Sequence, residues 1–424
     1  MNQYAIKSQI RDFGMKNDKT KSKKKKRTYS KILYGFVKVL SWFVATFAFK
    51  RRFKRNEIKG KKGPFVIIAN HEASLDFVNL IGATREHLSF VISDSFYNTL
   101  PCKGIVSKLG MIPKQQFQTS LRDLGSMRST LKNNGILVIY PAGLMCEDGQ
   151  STPIPPTTYE FLRWLNHDVY VAKTIGTYFS MPKWSKGIRR GRTYIDIYKL
   201  FDKEELANAS VDEIKDKTYE ALDFDAYLEQ EKLKIKYSHN SNIKGLENVL
   251  YACPNCMGEF TMRTKKKKTI YCVQCGFEEK SDKYALLHND SGVGDEVRLV
   301  SAWSKMIYNN LKEKVKAGKV KKQITTAKIQ TIDQKKHKYC DAGSAEITLT
   351  PDTLSISGVV NGEELKLDLS TASFPSLPFK PGKCFEIQHG NISYRCFPKK
   401  PLTVMKWVNL IKIYYELKNE EVKI

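Results

Sequence analysis

Phe65-Val66-Ile67-Ile68-Ala69-Asn70-His71-Glu72-Ala73-Ser74-Leu75-Asp76-Phe77 is an apolar run that ends in a histidine and, five residues later, an aspartate. The run is rich in β-branched residues, follows Gly63-Pro64 and gives way to polar residues, which is the pattern of a buried central parallel strand. His71 then stands just past the strand's C-terminal end. Ser74 is the expected helix N-cap, and Leu75, Phe77, Val78, Leu80 and Ile81 keep helical spacing, so Asp76 falls in the first helical turn. From there its carboxylate can reach back to the imidazole. A carboxylate that fixes a histidine's tautomer makes it a general base, able to take a proton from a hydroxyl. The same aspartate is favourable against the helix dipole alone, so the spacing by itself leaves both roles open.

Outward from this stretch, short apolar runs alternate with helical ones. Leu88 to Ile92, Gly135 to Tyr140, Val169 to Ala172 and Tyr194 to Tyr198 read as further strands, with helical spacing over Leu75 to Ala83 and Leu121 to Leu131. This predicts an α/β domain over residues 63–232, a mixed sheet with flanking helices, whose ligands sit beyond the strand C-termini.

The chain has 424 residues and a net charge of +27, and the first 62 residues hold 20 Lys or Arg against Asp12, Asp18 and Glu57. A block this basic calls for an anionic partner. The run Lys21 to Lys31 reads as solvated and without fixed structure. It leads into Ile32 to Phe49, in which Ile32, Phe36, Val37, Leu40, Val44 and Phe47 share one helical face, followed by the cluster Lys50 to Arg55. Residues 1–62 are therefore expected to form a basic segment whose helix lies in the interface of an anionic membrane. A membrane-spanning helix, a cleaved signal and a buried core helix are the alternatives. Both flanks are basic, and Lys38, Gly35 and Ser41 interrupt the run, which counts against a span.

Nine cysteines occur, two C-x-x-C pairs and five single residues, which is not a disulfide framework and fits a reducing, cytosolic setting. The pairs Cys253/Cys256 and Cys272/Cys275 lie fifteen residues apart in a predicted zinc ribbon over residues 248–280. Four thiolates on two tight turns make a closed tetrahedral shell for a structural Zn2+, with an iron site or a redox dithiol as the alternatives. Arg263 and Lys265 to Lys268 lie on the arm between the knuckles, either as a solvated hairpin tip or as a contact for nucleic acid or lipid. Residues 234–247 read as a linker. Residues 281–340 read as a helical and linker segment, with one helix through Val297, Val300, Trp303, Ile307, Leu311 and Val315 and a weakly structured Lys-rich stretch up to about Cys340. Residues 343–424 alternate in several short runs and close with an amphipathic helix from Leu402 to Leu417. Antiparallel strands capped by one C-terminal helix resemble a pleckstrin-homology-like barrel, a likeness of topology that does not choose among lipid, peptide and intramolecular docking.

Four blocks occur in the order and at the separations found in glycerolipid acyltransferases of the lysophosphatidate type. They are Asn70-His71-x4-Asp76, Gly110-Met111-Ile112-Pro113, Tyr140-Pro141-Ala142-Gly143 and Val169-Tyr170-Val171-Ala172. The resemblance spans about Lys50 to Leu228. It implies transfer of a fatty acyl group to a hydroxyl of a lysophospholipid such as 1-acylglycerol-3-phosphate, in phospholipid synthesis. The donor would be acyl-CoA, acyl carrier protein or acyl phosphate, and the setting the cytoplasmic face of a membrane, in a peripheral or monotopic protein. His71 would be the base and Asp76 its orienting partner. Asn70, Ser74, Gln116, Ala142 and Gly143 would lie against the substrate, with backbone N–H groups near Gly143 facing the oxyanion. The chain departs from the family where Ala142-Gly143-Leu144-Met145 replaces the usual Glu-Gly-Thr-Arg and Gln116 stands for an Arg. The missing guanidinium groups would grip a phosphate. Lys114, Lys173, Lys183, Arg189 and Arg190 are the candidate substitutes, and Glu147 and Asp148 come too late for the missing Glu. A contrasting reading is a zinc-ribbon protein that binds nucleic acid or membrane and carries a catalytically altered acyltransferase domain. Most of the excess charge flanks an apolar helix rather than aromatic platforms, which favours membrane over nucleic acid.

Overall fold

The computed structural model describes residues 29–100, 107–117, 120–239, 242–289 and 297–421. The Lys-rich run up to residue 28 lies outside them. The chain divides into two compact units. The first takes the chain through Cys146, then Ser151–Ser180 and Arg190–Phe224, and the second takes Glu147–Gln150, Met181–Arg189 and Asp225–Ile424.

In the first unit a helix, α1 (Lys31–Phe47), precedes a seven-stranded sheet. Its strands are β1 (Arg52–Asn56), β2 (Phe65–Ala69), β3 (Leu88–Ser93), β4 (Ile112–Lys114), β5 (Ile136–Ile139), β6 (Val169–Ile175) and β7 (Tyr194–Phe201), in the spatial order β1-β7-β6-β2-β5-β3-β4. Pairings within β6-β2-β5-β3-β4 are parallel, and β7 runs antiparallel to β6. This is the expected mixed sheet. β2 sits at its centre with every residue buried, because it is apolar on both pleat faces. Val66 and Ile68 pack on one side with Leu124, Met127 and Leu131 of helix α3 (Leu121–Lys132), Leu162 and Leu165 of α4 (Thr157–Leu165) and Ile214 of α5 (Val211–Leu222). Phe65, Ile67 and Ala69 pack on the other with Leu80 and Ile81 of α2 (Asp76–Ile81). The sheet begins at β1, ahead of the boundary expected at residue 63. Arg52-Phe53-Lys54-Arg55-Asn56 has no apolar alternation, and it is a strand because its backbone pairs with β7, with Arg55 forked onto Asp196 at 2.7 and 2.9 Å.

Helix α1 carries apolar residues on two opposite faces. Tyr34, Ser41 and Ala45 are buried, and the Tyr34 hydroxyl accepts from the Leu88 amide while Lys38 Nζ donates to Thr84 O. Ile32, Phe36, Val39, Leu40, Phe43 and Phe47 point outward, with Ile32 90% and Phe36 68% exposed. The outer stripe therefore runs through Val39 and Phe43 rather than through Val37 and Val44, which are half-buried. Among the described residues no helix is long and apolar enough to cross a membrane.

The second unit holds two antiparallel sheets. One orders β8 (Met262–Lys265), β9 (Thr269–Cys272), β10 (Glu278–Ser281), β11 (Leu287–Asn289) and β12 (Val297–Arg298) as β12-β11-β10-β9-β8. Helix α6 (Val300–Lys316) follows, burying Val300, Trp303, Ile307 and Leu311 as its spacing predicts, although Val297 belongs to β12. The other sheet is built from β13 (Gln323–Asp333), β14 (Lys338–Leu349), β15 (Thr353–Val360), β16 (Glu363–Ser370), β17 (Phe379–Lys380), β18 (Cys384–His389) and β19 (Ile392–Pro398). Their order is β16-β15-β14-β13-β19-β18-β17, so β16 and β17 stand at opposite ends of the hydrogen-bonded order. The stretch expected to be weakly structured up to Cys340 is thus wrong from Gln323 onward. β13 and β14 pair along their whole length, and their lysines sit on the solvent face while Ala327, Ile329, Ile347 and Leu349 turn inward. The closing helix, α7 (Val404–Glu421), buries Trp407, Leu410, Ile411 and Tyr414, with Trp407 stacked 5.6 Å from Phe385. The expected linker at residues 234–247 is packed, since Tyr237, Ile243 and Leu246 are buried.

Candidate active site

Strand β2 ends at Ala69, and the chain must leave the sheet there without abandoning its backbone groups to a dry interior. Asn70 solves this with its amide. Nδ2 donates to Thr174 O at 2.8 Å and Oδ1 accepts from Thr174 N at 2.7 Å, which locks the exit of β2 to β6. Both ends of the Asn70 amide are therefore engaged with backbone. His71 follows, and its own carbonyl accepts from Cys146 N at 3.1 Å.

The turn Glu72 to Leu75 brings Asp76 back to His71. Nδ1 of His71 lies 2.9 Å from Asp76 Oδ2, and the same oxygen accepts from the Ala73 amide at 2.9 Å. A carboxylate accepts at both contacts, so the imidazole carries its proton on Nδ1 and leaves Nε2 with its lone pair. Among the described residues Nε2 takes no hydrogen bond. The Asp76 side chain is 1% exposed and that of His71 22%, so the carboxylate is sealed while the ring edge reaches solvent. Ser74 is not the helix cap. Leu75 occupies that position without a side-chain bond, and Ser74 is exposed, because the turn gives its capping geometry to the Asp76 carboxylate and the Ala73 amide.

Two neighbours were not legible beforehand. Tyr140, at the end of β5, stacks on His71 with ring centroids 4.4 Å apart and 29° between planes. Burial, and then the charge of Asp76, hold its phenol well above the ordinary value, so it is neutral. Glu72 is fully buried, and its Oε2 accepts from Thr177 Oγ1 at 2.8 Å and Tyr178 N at 2.9 Å. Burial, and then Asp76, raise its carboxyl to about 8. At neutral pH Glu72 is thus protonated, and the negative charge beside His71 is that of Asp76. Nothing in the spacing of Glu72 signals this, since its neighbours Thr177 and Tyr178 lie a hundred residues away.

The remaining expected residues form two groups. Gln116 and Gly143 meet, with Gln116 Nε2 donating to Gly143 O at 2.9 Å. Gly143 has φ +68°, and its amide donates to Tyr140 O at 3.0 Å, closing the turn Tyr140 to Gly143. That amide is therefore engaged within the turn itself. Ala142 is half-buried in this turn, and its methyl group offers no polar contact. The cations are dispersed. Lys114 ends β4 with Nζ donating to Gln115 O at 3.1 Å, and burial pulls its ammonium down to about 8. Lys173 Nζ donates to Asp223 O at 2.6 Å and Arg190 Nε to Phe47 O at 3.3 Å. In the second unit Lys183 lies 3.5 Å from the centre of the Phe379 ring, and Arg189 donates to Ser185 Oγ and Asn242 O. Glu147 pairs with Lys412 Nζ at 2.5 Å.

A second cluster gathers Cys253, Cys256, Cys272 and Cys275, whose sulfurs all lie within 4.8 Å of one another.

Residues 50–171 match the acyltransferase family model, a span that runs from the approach to β1 into β6 and contains His71, Asp76 and Tyr140. Among solved structures, the chain is similar to the 1-acyl-sn-glycerophosphate (LPA) acyltransferase PlsC from Thermotoga maritima. The likeness has 16% identity and a TM-score of 0.40, and covers 54% of this chain and 92% of that one.

Proposed function

We propose that the acyltransferase domain moves a fatty acyl group from an activated donor to a hydroxyl of a lysophospholipid, at the surface of an anionic membrane. The observation that carries this is the His71–Asp76 pair, with Nδ1 held by a buried carboxylate and Nε2 left with its lone pair at the solvent edge. In the reaction Nε2 takes the proton of the acceptor hydroxyl as its oxygen attacks the acyl carbonyl. The new C–O bond forms, the tetrahedral intermediate collapses, and the donor's thiolate or phosphate leaves with the proton from the imidazolium. Asp76 steadies that imidazolium, and Tyr140 keeps the ring from tilting. The donor is acyl-CoA, acyl carrier protein or an acyl phosphate.

The lipid setting draws on the outer face of α1. Ile32, Phe36, Val39, Leu40, Trp42, Phe43 and Phe47 form an exposed apolar surface with no reason to face water, and Lys50, Arg51, Arg52, Lys54 and Arg55 follow in the sequence. Such a helix embeds its apolar face among acyl chains while cations meet anionic headgroups. Dispersal of Lys173, Arg189 and Arg190 onto carbonyls, together with Gln116 in place of Arg, points to an acceptor gripped by fewer guanidinium groups than in the family at large.

The test offers purified full-length chain, on vesicles of anionic phospholipid, a panel of lysolipids with each class of labelled donor in turn, and reads the products by mass spectrometry. Label in a new ester of one lysolipid is the expected result. Unchanged lipids with all three donors would remove the proposal.

A further inference from the structure

The first unit leaves the cysteine cluster of the second unit without a part in acyl transfer. The two C-x-x-C turns are copies of one another bond for bond. Met257 N donates to Cys253 O, and Gly276 N to Cys272 O, at 3.1 and 3.2 Å. Cys253 N donates to Gly258 O and Cys272 N to Phe277 O, at 3.0 and 2.8 Å. Asn255 N and Gln274 N each point at the first sulfur of their own turn, at 3.4 Å. The residue after each second cysteine is left-handed, Met257 at φ +56° and Gly276 at +75°. A non-glycine residue in that region carries a conformational cost, so Met257 is held there by its surroundings.

These turns face each other and converge their sulfurs. Cys253 Sγ lies 3.6 Å from Cys275 Sγ, and Cys256 Sγ 3.8 Å from Cys272 Sγ. Metal–sulfur bonds of about 2.3 Å put the corners of a regular tetrahedron about 3.8 Å apart. A disulfide would need about 2.05 Å, and an iron–sulfur cluster would hold its four cysteines farther apart. The backbone N–H groups aimed at Cys253 and Cys272, and the Asn255 amide 3.6 Å from Cys275 Sγ, are the donors that a thiolate shell requires to spread its charge.

We infer that Cys253, Cys256, Cys272 and Cys275 bind one Zn2+ as a closed tetrathiolate whose occupancy fixes the ribbon against helix α6. Four thiols lose their protons to solvent as four Zn–S bonds form, with no change of oxidation state. Zinc is chosen over a single iron because a thiolate site binds it more tightly in the order of divalent metals. All four positions are filled by sulfur, so the ion takes no substrate. Its effect passes instead through Trp303, whose indole donates to the carbonyl of Ala252, next to Cys253, at 2.9 Å. Phe277, two residues past Cys275, meets the same indole edge-on at 5.7 Å.

Metal analysis of the full-length chain, purified without chelator, is expected to give about one zinc per chain. Replacing zinc with Co2+ should give the intense visible bands of a tetrahedral tetrathiolate. Cys256→Ser/Cys275→Ser should lose the metal while Cys340→Ser keeps it. Stripping wild-type chain with a thiol reagent and chelator should speed hydrogen exchange in peptides spanning 250–280 and 300–310 but not in β2. Stoichiometric iron, a Cys–Cys crosslink in the native chain, or all nine thiols titratable in the unfolded chain with no metal retained after incubation with Zn2+ would each overturn the inference, and all three are read on the wild-type protein. Bound zinc whose removal leaves exchange in both peptides unchanged would overturn the part assigned to α6.

Discussion

Glu72→Gln isolates the buried acid beside the His71–Asp76 pair. The Glu72 carboxyl moves from 4.5 to about 8 on folding, first because burial penalises its charge and then because Asp76 is near. Between those values the folded chain holds a proton that the unfolded chain has released. Stability therefore falls as pH rises through the window and levels off above about pH 8, the opposite of the usual salt-bridged carboxylate. Each pH unit of that window is worth about 1.4 kcal/mol, so the whole of it amounts to about 5 kcal/mol. Gln keeps a carbonyl oxygen to accept from Thr177 Oγ1 and Tyr178 N and has nothing to titrate. The variant and the wild type should match near about pH 4.5, and the variant should gain several kcal/mol by about pH 8. The assay is hydrogen exchange of the β2 amides in rising urea at a series of pH values, which reports on the unit that contains Glu72. Contributions of other titrating groups cancel in the difference. Parallel profiles for the two proteins, or a variant that loses stability at high pH, would refute the assignment of a neutral Glu72.

Three further outcomes follow from named contacts. Asp76→Asn removes the carboxylate that fixes the His71 proton on Nδ1 and should cut acyl transfer by about 100-fold or more, with KM little changed and far-UV circular dichroism retained. Phe36→Glu/Phe43→Glu alters two exposed residues of α1, so thermal stability should hold, while loss of two side chains that would embed among the lipid acyl chains, at about 1.5–3 kcal/mol each, should abolish sedimentation with anionic vesicles. In the second unit the half-buried Lys412 faces the buried Glu147. Burial alone would pull the Lys412 ammonium down, and Glu147 more than offsets it. Lys412→Met removes the ammonium that offsets the burial of the Glu147 carboxylate and should cost about 3–5 kcal/mol in urea unfolding, and Glu147→Gln in the same chain should recover most of the loss.

What could be read from the sequence was what short-range chemistry writes locally. β2 is apolar on both faces, so its central place was plain from five residues, and the turn after it confines His71 and Asp76 within one bend. The cysteine turns are likewise local. Strand β1 escaped because an edge strand of Arg and Lys has no apolar alternation, and only its pairing with β7 makes it a strand. β13 escaped because Lys319, Lys321 and Lys322 lead into it and Lys328 stands between Ala327 and Ile329, which masked their alternation. At the site, Glu72 and Tyr140 acquire their roles from residues far along the chain, and the Asn70 amide, expected to meet substrate, is held by Thr174. The outer stripe of α1 was misplaced by one helical position in part, because the spacing shows that the helix is amphipathic without showing which apolar residues its own domain covers.

The most direct measurement of the central claim is acyl transfer by wild type and His71→Ala side by side, on the same vesicles with the best acceptor and donor of the panel. His71 is partly exposed and its backbone, not its ring, holds Cys146, so the variant should fold and bind vesicles as the wild type does. His71→Ala is expected to bind the vesicles and form no new ester. Undiminished turnover in that variant would contradict it.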